Sequence, residues 1–199
     1  MAYDETYDIP IYSRPARRFH WWIVFFLLLQ LPIGFYMTYR GYEMAGVNEQ
    51  GEVVKGVWDG VTNTLYSSHK TIGLLVFALT LWRLASRVII GRPARVGDLS
   101  PAGRRLAALG HAAIYLLLLV VPLLGYLLAC TSPLPVPTLL FGFLPVPHAI
   151  GADRAAFALL RPLHMAAAIL LVVLAAGHTA MAIRHHRAGS AVLRRMWRG

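Results

Sequence analysis

Two histidines in the last apolar stretch, Leu163 to Ile183, have a spacing that suits redox chemistry. His164 and His178 are fourteen residues apart, and no charged residue lies between them. In a helix this separation is about 21 Å along the axis and about 40° around it, so both imidazoles share one face at two depths. Because an imidazole can ligate a haem iron, the spacing favours two stacked haems in one bilayer.

The composition predicts a membrane protein. Of the 199 residues, 57% are hydrophobic and only 14% are charged, and so much apolar surface requires lipid as its solvent. In a soluble protein the net charge of +10 would suggest nucleic acid binding. Here the topology of a membrane protein explains the excess of basic residues. We therefore expect a lipid bilayer and no nucleic acid as partner. The one cysteine, Cys130, excludes covalent haem attachment through Cys-x-x-Cys-His, so any haem should be b-type.

Four apolar stretches are long enough to cross a bilayer. We therefore predict an all-α membrane protein, a four-transmembrane-helix bundle that forms one domain over residues 1–199, with spans at about 19–39, 65–90, 106–129 and 163–183. Around these spans we expect a surface segment up to residue 18 in which Pro10 and Pro15 block a regular helix, a polar loop at 40–64, a basic turn at 91–105 and a proline-rich loop from Cys130 to Pro162.

The distribution of basic residues predicts the orientation. Four spans place both termini on one side, and the segments on that side contain fourteen of the nineteen Lys and Arg residues. Because cytoplasmic segments of membrane proteins are enriched in basic residues, we expect both termini to be cytoplasmic. The loops at 40–64 and 130–162 would then lie on the outer side.

This topology pairs histidines from different spans at matched depths. His20 and His178 lie toward the cytoplasmic side of spans one and four, and His69 and His164 lie toward the outer side of spans two and four. A low-spin haem needs two axial imidazoles from opposing helices. We therefore predict two non-covalent haem b groups, with these four histidines as the iron ligands.

Other polar residues near the span ends are candidate contacts for haem propionates or for a quinone. Basic side chains form charge-assisted hydrogen bonds with buried carboxylates, although they also anchor helices in lipid headgroups. His111, near the start of span three, could support a propionate, bind a quinone headgroup, act as an alternative ligand or be an interfacial histidine. His185 lies about 10 Å beyond His178 on the same face, where it could bind a quinone headgroup or belong to the basic anchor. The propionate candidates are Arg18, Lys70, Arg83 and Arg161.

Four segments, RRFHWW, SSHKTIGLL, GHAAIYLLLLVVPLLGYLLA and GHTAMAIRHH, resemble the bacterial cytochrome b561 family of four-helix, di-haem, quinone-reactive membrane proteins. The resemblance covers all four spans and implies the same two ligand pairs, with ubiquinone as substrate and a bacterial inner membrane as location. The opening DIPIYSRPARRFHWW is also similar to the cytochrome b subunits of membrane hydrogenases and formate dehydrogenases.

Three functions are consistent with these residues. The first is an oxidoreductase that passes electrons from an outer-face donor, for which the resemblance implies superoxide, through two haems to ubiquinone. The second is a haem-carrying membrane anchor subunit that links quinone to a soluble dehydrogenase or a periplasmic redox protein. The third is a haem-free bundle in which the histidines form a proton path. We expect the first function and assign no catalytic residue.

Overall fold

Four long helices dominate the structure. The computed structural model describes residues 3–4, 9–48, 50–91, 100–134 and 137–197. The four helices are long and apolar enough to cross a membrane, and each overlaps one predicted span, so the expected class of all-α membrane protein is confirmed. They are α1 (Arg14–Tyr42), α2 (Gly60–Ile89), α3 (Pro101–Thr131) and α4 (Arg154–Arg187), followed by the short α5 (Arg194–Trp197).

Each long helix begins directly after a residue that caps it. The side chains of these residues accept hydrogen bonds from amides of the first helical turn, which have no acceptor within the helix. Asp153, for example, accepts bonds from the amides of Ala155 and Ala156 at 2.9 and 3.0 Å. The four capping residues are Ser13, Asp59, Ser100 and Asp153.

The caps explain where the predicted loop boundaries are wrong. Because α1 begins at Arg14, Pro15 lies in the first turn, where its missing N–H breaks no helical bond. The prediction that Pro15 blocks a helix is therefore wrong. The proline-rich loop ends at Asp153, since α4 begins at Arg154 and continues through Pro162. Prolines are tolerated in membrane helices because neighbouring groups accommodate the freed carbonyl.

The predicted basic turn at 91–105 is also shorter than expected. Helix α3 begins at Pro101, in the helical position that proline favours most. Residues 92–99 of this segment lie outside the described residues.

Three antiparallel strand pairs lie outside the helices, where the sequence predicted only irregular segments. Strands β1 (Tyr3–Asp4) and β2 (Ile9–Pro10) pair before α1. The other two pairs lie in the long loops. They are β3 (Ala45–Val47) with β4 (Val53–Lys55) between α1 and α2, and β5 (Thr138–Leu140) with β6 (Leu144–Val146) between α3 and α4.

The chain divides into two compact units, and every long helix contributes to both. The first unit comprises the described residues of Met1–Ile23, Phe77–Val121 and Leu163–Gly199. It therefore contains α5 and the strands β1 and β2. The second unit comprises the described residues of Val24–Val76 and Pro122–Pro162, and it contains the other two strand pairs.

In the second unit, a buried arginine ties the end of α1 to the start of α2. The guanidinium of Arg40, a residue only 8% exposed, contacts the Asp59 carboxylate at 2.7 Å. Its Nε donates to the Thr62 hydroxyl at 3.0 Å, and this hydroxyl donates to the Val57 carbonyl at 2.7 Å. These bonds hold the α1–α2 loop against the ends of the two helices that it connects.

A glycine allows the loop to approach α1 this closely. Gly56 has a φ of +92°, and a Cβ at this position would lie 2.6 Å from the Gly41 carbonyl oxygen. Both the left-handed backbone and the close backbone contact exclude a larger residue.

We expect Asp59 to stabilise the second unit by neutralising the buried Arg40. Asp59→Asn retains a capping side chain but removes the charge, so it should lower the thermal midpoint in detergent by roughly 5 °C at neutral pH. Asp59→Ala should lower the midpoint further, because it also removes the cap. Equal midpoints for Asp59→Asn and the parent would contradict this role.

The pH dependence of this effect follows from the same contacts. The bond from the Thr62 amide and the Arg40 guanidinium lower the pKa of Asp59. Its contribution is therefore fully present above the unfolded pKa of about 3.9 and is lost as the pH falls through the lower folded pKa. The difference between the parent and Asp59→Asn should thus be constant from about pH 6 to about pH 8.

Candidate functional site

Two of the predicted ligands, His20 of α1 and His178 of α4, lie close together in the first unit. Their ring centres are 6.4 Å apart and the ring planes are inclined by 75°. A bond from a metal to an imidazole nitrogen is about 2 Å and the ring centre lies about 1 Å behind that nitrogen, so ligands on opposite sides of one metal have ring centres about 6 Å apart. The observed spacing therefore fits a metal held between the two rings.

A third histidine of the first unit, His111 of α3, contacts His178 in a different way. Their ring centres are 5.0 Å apart with planes inclined by 81°, closer than a shared axial metal requires. The Nδ1 atom of His111 lies 2.6 Å from the Ala107 carbonyl oxygen. Because a carbonyl only accepts, this Nδ1 carries the proton. His111 therefore packs edge-on against His178, and its other predicted roles stay predictions.

His164 of α4 is oriented by a backbone carbonyl in the same unit. Its Nδ1 lies 3.0 Å from the Val121 oxygen of α3, so Nδ1 donates and the lone pair resides on Nε2. Metal-ligating histidines almost always donate their other ring N–H to a carbonyl, a carboxylate or water, which fixes the ring for ligation. The contact thus suits the predicted role of His164 as an axial ligand.

The fourth predicted ligand, His69 of α2, lies in the second unit against two residues of α1. A Cβ at Gly34 would lie 2.9 Å from His69 Cε1, so only a glycine leaves space for the ring in this position. Gln30 donates from Nε2 to the His69 backbone oxygen at 3.0 Å. His164 belongs to the other unit, and the pairing of His69 with His164 stays a prediction.

Gln30 was missed by the sequence analysis. Its Oε1 is buried and has no hydrogen-bond partner among the described residues. The signal was available, because Gln30 is the one amide side chain in the apolar stretch 19–39. A polar side chain in a membrane span is rare and usually functional.

Trp21 links His20 to the C-terminal segment, a contact that residue spacing does not predict. The Trp21 ring lies 5.3 Å from the His20 ring, centre to centre. Its Nε1 donates to the Met196 carbonyl at 2.9 Å, and Trp197 packs edge-on against it at 5.0 Å. Arg195 is buried and lies over the Tyr12 ring at 5.3 Å. The C-terminal segment therefore packs on the start of α1, beside a predicted ligand.

The candidate propionate contacts differ in their surroundings. Arg83 donates to the Tyr115 hydroxyl at 2.8 Å and also to the Ala16 carbonyl, which joins α2 to α3 and α1 within the first unit. In the second unit, the Arg161 guanidinium lies 3.8 Å from the centre of the Tyr42 ring. Arg18 is exposed and Lys70 is half-buried. Their contacts with propionates stay predictions.

The sequence profile of the prokaryotic cytochrome b561 family matches residues 11–199. The chain belongs to this family. It is 29% identical over 175 residues to cytochrome b561 homolog 2 of Escherichia coli (strain K12), an alignment that covers 88% of this chain and 84% of that protein. Family membership indicates haem-dependent electron transfer in a bacterial membrane, with a b-type haem. The resemblance inferred from the four sequence segments is thereby confirmed.

The residues of the site fit such a haem. The His20 and His178 rings have the spacing of a ligand pair, and His164 has its ring fixed by a carbonyl. When bound, a haem supplies one-electron transfer, and the protein supplies the ligands, their orientation and the apolar surroundings.

The contact between Gly34 and His69 allows a direct test of the role of His69. Gly34→Ala should displace the ring and weaken haem binding there by roughly 10-fold or more, an effect typical of disturbed ligand orientation. Haem per polypeptide and the reduced-minus-oxidised spectrum measure this effect. Gly73→Ala is the matched control, because a Cβ at Gly73 would lie 3.4 Å from Gln30 Nε2, an ordinary contact. If Gly34→Ala retains all its haem, the contact between Gly34 and His69 does not position a haem ligand.

Proposed function

We propose that the protein is a di-haem b oxidoreductase of the bacterial inner membrane that passes electrons from an outer-face donor to ubiquinone. The observation that carries the proposal is the pair His20 and His178, whose ring centres lie 6.4 Å apart on α1 and α4. His164 supplies a ligand at a second depth of α4, and His69 is proposed as its partner. The basic residues near the N-terminus and the C-terminus support a cytoplasmic location for both termini.

In the first unit, contacts around the ligand pair keep the two imidazoles in place. Trp21 is fixed by the Met196 carbonyl and by Trp197, so the start of α1 has a defined rotation beside His20. Arg83 holds α1, α2 and α3 together through Ala16 and Tyr115. Rigid, buried surroundings keep the ligands in the orientation that sets the reduction potential of a haem. This is what the protein contributes to electron transfer.

For the quinone, His185 is the candidate that the geometry of α4 supports. It is half-buried and lies two turns beyond His178, about 10 Å along the helix. A ring N–H at this position can donate a hydrogen bond to a quinone carbonyl. The neighbouring His186 is exposed, which makes it the natural comparison.

For the donor, two basic side chains of the second unit, Lys70 and Arg161, support superoxide. Superoxide is a small anion, and local positive charge steers anions toward a site. Lys70 and the exposed Arg161 contribute positive charge, while the carboxylate of Asp59 is paired with Arg40. Two superoxide ions would each lose one electron and leave as oxygen, and one ubiquinone would take two electrons and two protons to become ubiquinol.

Replacement of single histidines tests the ligand assignment. His69→Ala or His164→Ala should remove one of two haems, and His20→Ala or His178→Ala should remove the other, because each iron loses an axial ligand. His111→Ala should retain both haems, since His111 is too close to His178 to share a metal with it. Haem per polypeptide and the difference spectrum report the outcome. Retention of both haems in His69→Ala and in His164→Ala would exclude the second pair.

Quinone reduction tests the proposed reaction. The purified protein should reduce ubiquinone when superoxide is the reductant, with both haems reduced by it. His185→Ala should slow this reaction by roughly 10-fold while both haems stay bound, whereas His186→Ala should leave it unchanged. Two haems without superoxide-dependent quinone reduction would favour the haem-carrying anchor subunit, and unchanged kinetics in His185→Ala would exclude His185 from the quinone site.

A further inference from the structure

The hairpin β5–β6 exposes an apolar tip in the second unit. The tip comprises residues 141–144, in which Phe143 is 75% exposed, Phe141 60% and Leu144 50%. The rings of Phe141 and Phe143 lie 6.3 Å apart, centre to centre. Exposed aromatic clusters of this kind contact either lipid or another protein.

Two hydrogen bonds fix the level of the tip along α2. The Phe141 amide donates to the Thr71 hydroxyl at 3.1 Å, and the Ser67 hydroxyl donates to the Leu139 carbonyl at 3.3 Å. Thr71 lies roughly 16 Å along α2 from Gly60, and the residues from Thr71 to Trp82 include no charge. The tip is therefore held where the apolar part of a membrane-spanning helix begins, and not beyond the end of that helix.

The sequence around the tip also favours lipid. Residues 130–152 contain no Asp, Glu, Lys or Arg, whereas residues 43–59 of the other long loop contain five. A protein interface normally has a polar rim around its apolar centre, whereas exposed phenylalanines on an uncharged segment suit the boundary between headgroups and acyl chains.

We propose that the β5–β6 tip is a membrane-contact surface, which inserts Phe141 and Phe143 into the boundary between headgroups and acyl chains beside α2. Insertion is shallow, about 5–10 Å, as for other segments that lie on a membrane without crossing it. The strand pairing between β5 and β6 provides partners for backbone groups that lipid cannot supply. At its other end, the loop is held by Tyr126 of α3, whose hydroxyl donates to the Pro147 carbonyl at 2.7 Å.

Spin labelling in liposomes tests the proposal on the haem-loaded protein. The variant Phe143→Cys in a Cys130→Ala background carries a nitroxide on the new thiol, and the labelled protein is reconstituted into liposomes of phosphatidylcholine and phosphatidylglycerol. The label should collide more often with oxygen, which concentrates in lipid, than with a water-soluble nickel complex. The matched control is a label at Gln50, an exposed residue in the turn between β3 and β4. The ratio of oxygen to nickel collision should be several-fold higher at 143 than at 50.

A label at Leu144 provides a second position in the same tip and protects the test against a local disturbance at Phe143. Unchanged difference spectra show that each labelled protein retains its haem and its fold. A high ratio at both tip positions would support the proposal. Ratios at 143 and 144 equal to that at 50 would overturn it, and the tip would then be a water-facing surface suited to a soluble partner.

Discussion

Polar groups inside a bilayer find no water, and this constraint determines the arrangement of the site. An imidazole or a side-chain amide in lipid needs a partner from the protein or from a cofactor. His164 and His111 each direct Nδ1 to a backbone carbonyl, and Gln30 directs its amide to the carbonyl of His69. The two imidazole bonds fix the rotation of their rings, which is the condition that an axial ligand must meet.

Depth and face follow from helical periodicity, and this explains why the proximity of His20 and His178 was predictable. His20 and His178 were paired because their spans place them at matched depths, and their rings lie 6.4 Å apart. The sequence could not resolve the place of His111, which has a similar depth. Its contact with His178 depends on helix rotation and on a side-chain rotamer, and neither is encoded in residue spacing. The same limit applies to Gly34, because the side chain that requires a glycine there, His69, is 35 positions away in the sequence.

The boundaries of the helices depended on capping rather than on hydropathy. Pro15 was interpreted as a breaker, although Ser13 stands before a helix start that includes it. The predicted loop reached Pro162, although Asp153 caps a helix that already begins at Arg154. A capping residue satisfies first-turn amides wherever it stands, so it outweighs a proline whose own N–H is dispensable in that turn. The strand pairs were not predicted for another reason. Strands of two or three residues give too short an alternation to distinguish them from an irregular loop.

The two long loops of the second unit are fixed by different chemistry, and this indicates different surroundings. The α1–α2 loop is held by an ion pair between Arg40 and Asp59, whose side chain is 46% exposed, and it contains all five charged residues between 43 and 59. The β5–β6 hairpin is held by neutral hydroxyls of Ser67 and Thr71. Charged groups lose hydration when they enter lipid, whereas hydroxyl bonds to backbone retain their strength there. The charged loop therefore suits water, while the uncharged hairpin suits the boundary of the bilayer.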